Sequence, residues 1–266
     1  MENSIEVSEH NLPVDVERYY EEWTNTYIED FGNYFQALQT ENPDDLMFYI
    51  GENLDLKEGM RVLDAGCGIC GPAMGLCKKF DLDLEAITLS DSQVKYAKEN
   101  VEAGKSDLKG KINVRRGDFH NLSQDYEAAS FDVVYYLESL CHSHDPDKAI
   151  HEARKVLKDG GLIYIKDLFQ APRNPNNPEY VEYAIKATDE QFCLKARQVG
   201  DILNLLTKYG FKINFCREIE IPHSYDIGNA FTAKHLFKLK MDQEGPWFYD
   251  GFLFLQWLEI KAVKYY

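Results

Sequence analysis

No run of about 18 uninterrupted apolar residues occurs in this chain, so no membrane-spanning helix is indicated. A basic or apolar leader is not expected either. The opening MENSIEVSEH is polar and acidic, the opposite of a secretory signal or transit peptide, and the expectation is a cytoplasmic protein. Positive charge is scarce: 29 Lys and Arg stand against 45 Asp and Glu, for a net charge of -16. That balance repels phosphate backbones and argues for a small-molecule substrate over nucleic acid. Six cysteines without a secretion signal read as reduced thiols, with no disulfide framework. Cys67 and Cys70 form a CxxC, but no second pair follows at finger-like spacing, so no metal site is expected. There are no internal repeats and no low-complexity tracts. The length of 266 residues suits one large α/β domain with insertions, and a homo-oligomer stays open.

What is present is arranged around RVLDAGCGICG, Arg61 to Gly71. A short apolar strand leads through Asp64 into a glycine-punctuated turn, and Pro72 to Phe80 reads as a helix. Gly66 and Gly68 remove side chains that would keep a nucleoside from the backbone, and Gly71 lets the helix pack closely on the strand. Dinucleotide-binding enzymes share this spacing. Asp64, where nicotinamide-binding folds usually have an apolar residue, separates the two.

Further strands are expected at Leu84–Leu89, Lys111–Arg115, Phe131–Tyr136, Leu162–Asp167, Gly210–Ile219 and Phe252–Val263. Helices are expected at Pro43–Leu56, Asp91–Ala103 and Asp147–Leu157, and over Val181–Thr207 with a break near Gly200. Residues up to about Val14 read as a flexible arm. Beyond it Tyr20, Trp23, Tyr27, Phe31 and Tyr34 form an aromatic stripe at helical spacing. A second concentration of rings, Phe231, Phe237, Trp247, Phe248 and Tyr249 with His235, falls in a long connection before the last strand and reads as an acceptor lid.

The DxGCG of Asp64–Gly68 is similar to the first motif of class I S-adenosylmethionine-dependent methyltransferases. Its continuation resembles the GCGxGGPA of sterol C-methyltransferases, with Cys70 where a glycine is common. ITLSDSQ resembles the xTLSxxQ of cyclopropane-fatty-acid synthases and terpenoid C-methyltransferases, and ESLCH, Glu138 to His142, is similar to the EATCH of sterol C-methyltransferases. Geranyl diphosphate C-methyltransferases also have Glu at that place. The resemblance covers roughly Tyr20 to Phe169. It implies a doubly wound, Rossmann-like seven-stranded α/β sheet with helical and aromatic cap insertions, and S-adenosylmethionine as cofactor. Residues 1–56 would form an arm and helical lid, and 57–266 the catalytic domain with acceptor-cap insertions at about 170–200 and 222–250.

By the same resemblance Asp64, Gly66, Cys67, Gly68, Thr88, Leu89, Ser90, Gln93, Gly117, Asp118, Phe119 and Leu137 bind the cofactor, with Tyr20 and the FGNYFQ of residues 31–36 closing over it. Asp118 would take the adenine amino group and Phe119 would pack on the ring. Ser90 also suits a helix cap. Glu138 and His142 are the candidate catalytic residues. Methylating an alkene carbon needs rings and a carboxylate that stabilise a carbocation and then a base, a demand Glu138 meets with the aromatic insertions. His142, His144 or Glu138 would be base or orienter for an oxygen or nitrogen acceptor. C-methylation of a prenyl-type alkene is the first expectation. O- or N-methylation of a small aromatic or amine is the alternative.

Overall fold

The computed structural model describes residues 12–172, 178–221, 224–226, 248–249 and 252–265. In chain order the elements are α1 (Pro13–Phe31), β1 (Leu38–Thr40), α2 (Pro43–Asn53), β2 (Arg61–Ala65), α3 (Gly71–Lys79), β3 (Asp83–Thr88), α4 (Asp91–Gly104), β4 (Lys111–Arg116), α5 (Leu122–Asp125) and β5 (Phe131–Leu137). There follow α6 (Pro146–Val156), β6 (Leu157–Gln170), α7 (Pro178–Phe192), α8 (Val199–Lys208), β7 (Phe211–Glu218), β8 (Ser224–Asp226), β9 (Phe248–Tyr249), β10 (Phe252–Leu253) and β11 (Leu255–Lys264). Seven strands form the main sheet in the order β4-β3-β2-β5-β6-β11-β7. β2 to β6 pair in parallel, and β11 inserts antiparallel between β6 and β7.

The central strands are apolar on both faces because helices cover both. On one side α6 and α8 bury Ala149, Ile150, Ala153, Ile202, Leu205 and Leu206 against the sheet. On the other α2, α3 and α4 bury Leu46, Met47, Ile50, Ala73, Leu76 and Ala97. Helix starts follow their capping chemistry: Asn42 accepts from the Asp44 amide before Pro43, and Asp145 accepts from the Lys148 amide before Pro146. Asp145 therefore caps α6, which leaves Glu138 free of that task.

The expected strands are all present, with shifted limits. β6 starts at Leu157 because Leu157 pairs with Phe131, and the register shifts before Val133 pairs with Leu162. The Asp159-Gly160-Gly161 turn thus lies inside that strand's span. α1 already begins at Pro13, inside the expected arm. Its far face is tied down by Glu17 to Arg116 at 2.7 Å and by Glu21, which accepts from the Ser90 hydroxyl at 2.7 Å and the Ser92 amide at 3.0 Å. The break expected near Gly200 lies at residues 193–198. There Asp189 accepts from the Ala196 amide, and Arg197 bridges Phe169 on β6. The short pair of β1 with β8 was not expected. Most of the proposed 222–250 lid, including Phe231, His235, Phe237 and Trp247, lies outside the described residues. No helix among the described residues is long and apolar enough to cross a membrane.

Candidate active site

Chain reversals at the carboxyl ends of β2, β3, β4 and β5 bring the candidate residues together, as open α/β sheets do. A cavity of about 690 Å³, counting its open mouth, lies there. Every candidate named from the sequence lines it except Ser90, Asp118, His144 and residues 31–34 of the FGNYFQ stretch. Ser90 is fully buried: it caps α4 by accepting from the Gln93 amide and donates to Glu21, so its hydroxyl is spent on structure. Asp118 sits between two lining residues, Gly117 and Phe119, but its carboxylate accepts from the His120 amide at 2.9 Å, the His120 ring at 2.6 Å and the Asn121 amide group at 2.9 Å. Burial opposes its ionisation, yet the His120 hydrogen bonds hold its pKa below the usual carboxylate range.

Gly66 and Gly68 line the cavity, and close contacts add demands at the glycines that the sequence did not show. A Cβ on Gly66, whose φ is +112°, would run into Ser139 rather than into ligand space. One on Gly71 would overlap the Asn33 carbonyl, so that glycine serves the close approach of the 33–34 backbone, not helix–strand packing. Gly68, at φ +52°, lies 3.2 Å from Phe35, measured from a built Cβ. Phe35 and Gln36 belong to the FGNYFQ stretch and line the cavity, as do Val16, Pro72, Ile87 and Ser139, which sequence reasoning missed.

These walls fit a sulfonium nucleoside. Ile87, Leu89 and Phe119 offer apolar surface for a base. The Thr88 hydroxyl donates to Gln93 Oε1 at 2.5 Å, which orients the Gln93 amide and leaves its NH₂ for a ligand. Asp64 is buried at the end of β2 and accepts from the Tyr135 hydroxyl at 2.9 Å; burial pushes its pKa up to about 7 despite that bond. No Lys or Arg is among the described lining residues, so a diphosphate would lack a counter-charge while an ammonium would meet Asp64. Among the described residues no group of three or more His, Cys, Asp and Glu is placed to hold a metal.

A second cavity, of about 610 Å³, adjoins the first. Its walls are Tyr27, Phe31, Phe192, Leu194 and Trp257, with Asp167 at one side, its pKa raised by burial to about 6. Four residues line both cavities: Tyr20, Phe35, Glu138 and His142. His142 Nδ1 lies 2.8 Å from the Cys193 carbonyl, which only accepts, so Nδ1 carries a proton. Burial depresses the His142 pKa and keeps the ring neutral, so Nε2 accepts from the Tyr20 hydroxyl at 2.9 Å. Burial and then Tyr27 raise the Tyr20 pKa well above its ordinary value, which keeps that hydroxyl protonated. Glu138 has φ +55°, a strained value for a residue with a side chain, and is aimed by two partners. It is ion-paired to the fully buried Lys166 and accepts from the Ala37 amide at 2.6 Å. Nothing in the sequence pattern marked Lys166, which with Asp167 reads as the polar end of an apolar strand.

Residues 63–165 match the family model described as a methyltransferase domain. Sterol 24-C-methyltransferase of Debaryomyces hansenii is 30% identical over 191 residues, 69% of this chain and 49% of that protein. The chain spans about half the length of the curated sterol methyltransferases it matches. O-methyltransferase cnsE of Penicillium expansum is 29% identical over 214 residues, 77% of this chain and 74% of that protein. A solved geranyl diphosphate methyltransferase, in complex with geranyl diphosphate and sinefungin, covers 95% of this chain and 98% of its own with a TM-score of 0.70 at 15% identity, a likeness of fold alone. The matching domain, the seven-stranded sheet and the glycine turn agree: this chain carries a class I S-adenosylmethionine-dependent methyltransferase domain.

Proposed function

We propose that the protein transfers a methyl group from S-adenosylmethionine to an alkene carbon of a small apolar acceptor of the prenyl or terpenoid type. The observation that carries this is the junction: Glu138 and His142 line both the cavity on the glycine turn and the ring-walled cavity beside it. The bound cofactor supplies a methyl group already activated by its sulfonium charge. The chain's own residues then have to position the acceptor and manage the charge. Alkene electrons form the new carbon–carbon bond, the sulfur keeps the old bonding pair, and a cation remains on the acceptor. The faces of Tyr20, Tyr27, Phe31, Phe35 and Trp257 surround that cation, and Glu138 is fixed beside it. Neutral His142, reached through the Tyr20 hydroxyl, takes the proton whose loss restores the alkene.

Lys166 offsets part of the Glu138 charge, so the carboxylate acts as an oriented, desolvated dipole rather than a free anion. Glu138→Gln is expected to keep cofactor affinity within a few fold and to lower turnover by about two orders of magnitude, the scale of losing one electrostatic stabiliser. It should also lower thermal stability, because it strands the Lys166 ammonium. Near-normal turnover on the true acceptor would remove Glu138 from the chemistry. The Tyr20–His142 pair and the O-methyltransferase relative favour a second reading, methylation of a phenol or amine whose proton His142 removes. Turnover on a phenol or amine that survives Glu138→Gln but not His142→Ala selects that reading.

A further inference from the structure

Lys166 is among the largest fully buried side chains, in a strand segment where Ile163, Tyr164, Ile165, Leu168 and Phe169 are buried apolar residues and Asp167 is the other buried charge. A buried ammonium is costly unless it is paired and hydrogen-bonded, and an apolar replacement of such a pair is often the more stable choice. Its partners show what it holds. Besides its ion pair with Glu138, Lys166 donates to Gln36 Oε1 at 2.9 Å. Gln36 in turn donates to the Leu137 carbonyl at 3.0 Å, and the Ala37 amide donates to the second Glu138 oxygen. One ion pair therefore fastens residues 36–37 to the end of β5. Phe35, next to them, walls both cavities.

We propose that Lys166 is a positioning residue for methyl transfer: it holds the Glu138 carboxylate aimed at the junction of the cavities, and through Gln36 it ties that aim to closure of residues 35–37. This rests on reading Glu138 as the carboxylate that meets the developing cation. The groups facing Glu138 are Lys166 and Asp167 from β6, Tyr20 and Tyr27 from α1, and Cys141 and His142 from the turn after β5. Lys166 is the cation among them, since burial keeps His142 neutral. Without it, the Glu138 carboxylate loses the ammonium that fixes one of its oxygens beside Asp167, and only the Ala37 amide still aims it.

The test compares wild type, Lys166→Met, Glu138→Gln and Lys166→Met/Glu138→Gln by amide hydrogen exchange of the ligand-free protein and by kcat and KM. Expected for Lys166→Met is faster exchange over residues 33–38 and kcat reduced at least tenfold with KM changed by no more than a few fold. Because Lys166 acts through Glu138, the double variant should be little slower than Glu138→Gln alone. Should Lys166→Met fail to fold, Gln36→Leu keeps the ion pair but cuts the link, and is expected to speed the same exchange and lower kcat. Unchanged exchange over 33–38, or losses of kcat that multiply in the double variant, overturns the proposal. The exchange comparison needs no acceptor, so it decides the tie even if the carbon-methylation reading fails, and an unaltered exchange pattern sinks the tie whatever the acceptor.

Discussion

The Tyr20 hydroxyl and His142 Nε2, 122 residues apart in the chain, meet at 2.9 Å in the wall shared by the two cavities. With Nδ1 committed to the Cys193 carbonyl, the tautomer is set and the bond runs from tyrosine to histidine. A proton leaving an acceptor can pass through Tyr20 only while His142 is neutral. Tyr20→Phe is therefore expected to lower kcat by about two orders of magnitude, the low end of general-base effects, with little loss of fold. In wild type kcat should fall with acid, along a limb below the ordinary histidine value because burial depresses the His142 pKa. Steady-state kinetics from mildly acidic to mildly basic pH check both. A Tyr20→Phe variant with unchanged kcat removes the relay.

Asp64 gives a stability prediction. Its carboxyl is raised from 3.8 to about 7 by burial, so between those values the folded protein keeps a proton the unfolded chain has released. The associated stability is complete below 3.8 and is lost as pH rises through about 7. Asp64→Asn imitates the protonated form and keeps an acceptor for the Tyr135 hydroxyl. The ligand-free variant should melt higher than wild type at pH about 8 and by a clearly smaller margin at pH about 5, the two converging only below 3.8, at roughly 2–4 °C per kcal/mol relieved. Cofactor binding should weaken at both. Thermal melts at the two pH values settle the sign, and a variant that melts lower than wild type at the higher pH contradicts the assignment.

The glycines separate fold from binding. Gly66→Ala meets Ser139 and must hold φ +112°, so it should unfold or strongly destabilise the domain. Gly68→Ala is strained by about 1–2 kcal/mol for its left-handed backbone and presses on Phe35 at 3.2 Å, so it should fold and bind cofactor more weakly. Circular dichroism beside a binding titration distinguishes them. Equal behaviour of the two variants would mean that Ser139 does not set the Gly66 requirement.

Much of this was legible where the cause is local. The strand, turn and helix around Asp64–Gly68, and the Ser90 and Asp145 caps, follow from residues within a few positions of one another. What the sequence hid depends on distant partners. Gly71 is required by the Asn33 backbone, and Lys166 has meaning only beside Glu138 and Gln36. The bonds from His120 and Asn121 that hold the Asp118 carboxylate were likewise invisible in the sequence. The α7–α8 break moved away from Gly200 because Asp189 and Phe169 hold residues 196–197, while Gly200 sits in the first turn of α8, where a glycine is tolerated. β1, three residues long, exists only through its pairing with β8, which no local pattern announces.

The most direct measurement of the central claim is where the methyl group goes. The protein is incubated with S-adenosylmethionine carrying a carbon-13 methyl and a panel of sterol, prenyl alcohol, prenyl diphosphate, phenol and amine acceptors, and the products are read by carbon NMR. The account predicts label at the chemical shift of a methyl on carbon, at a former alkene position, and loss of that signal by about two orders of magnitude in Glu138→Gln. Label found only at the shift of a methyl on oxygen or nitrogen, with Glu138→Gln as active as wild type, would contradict it.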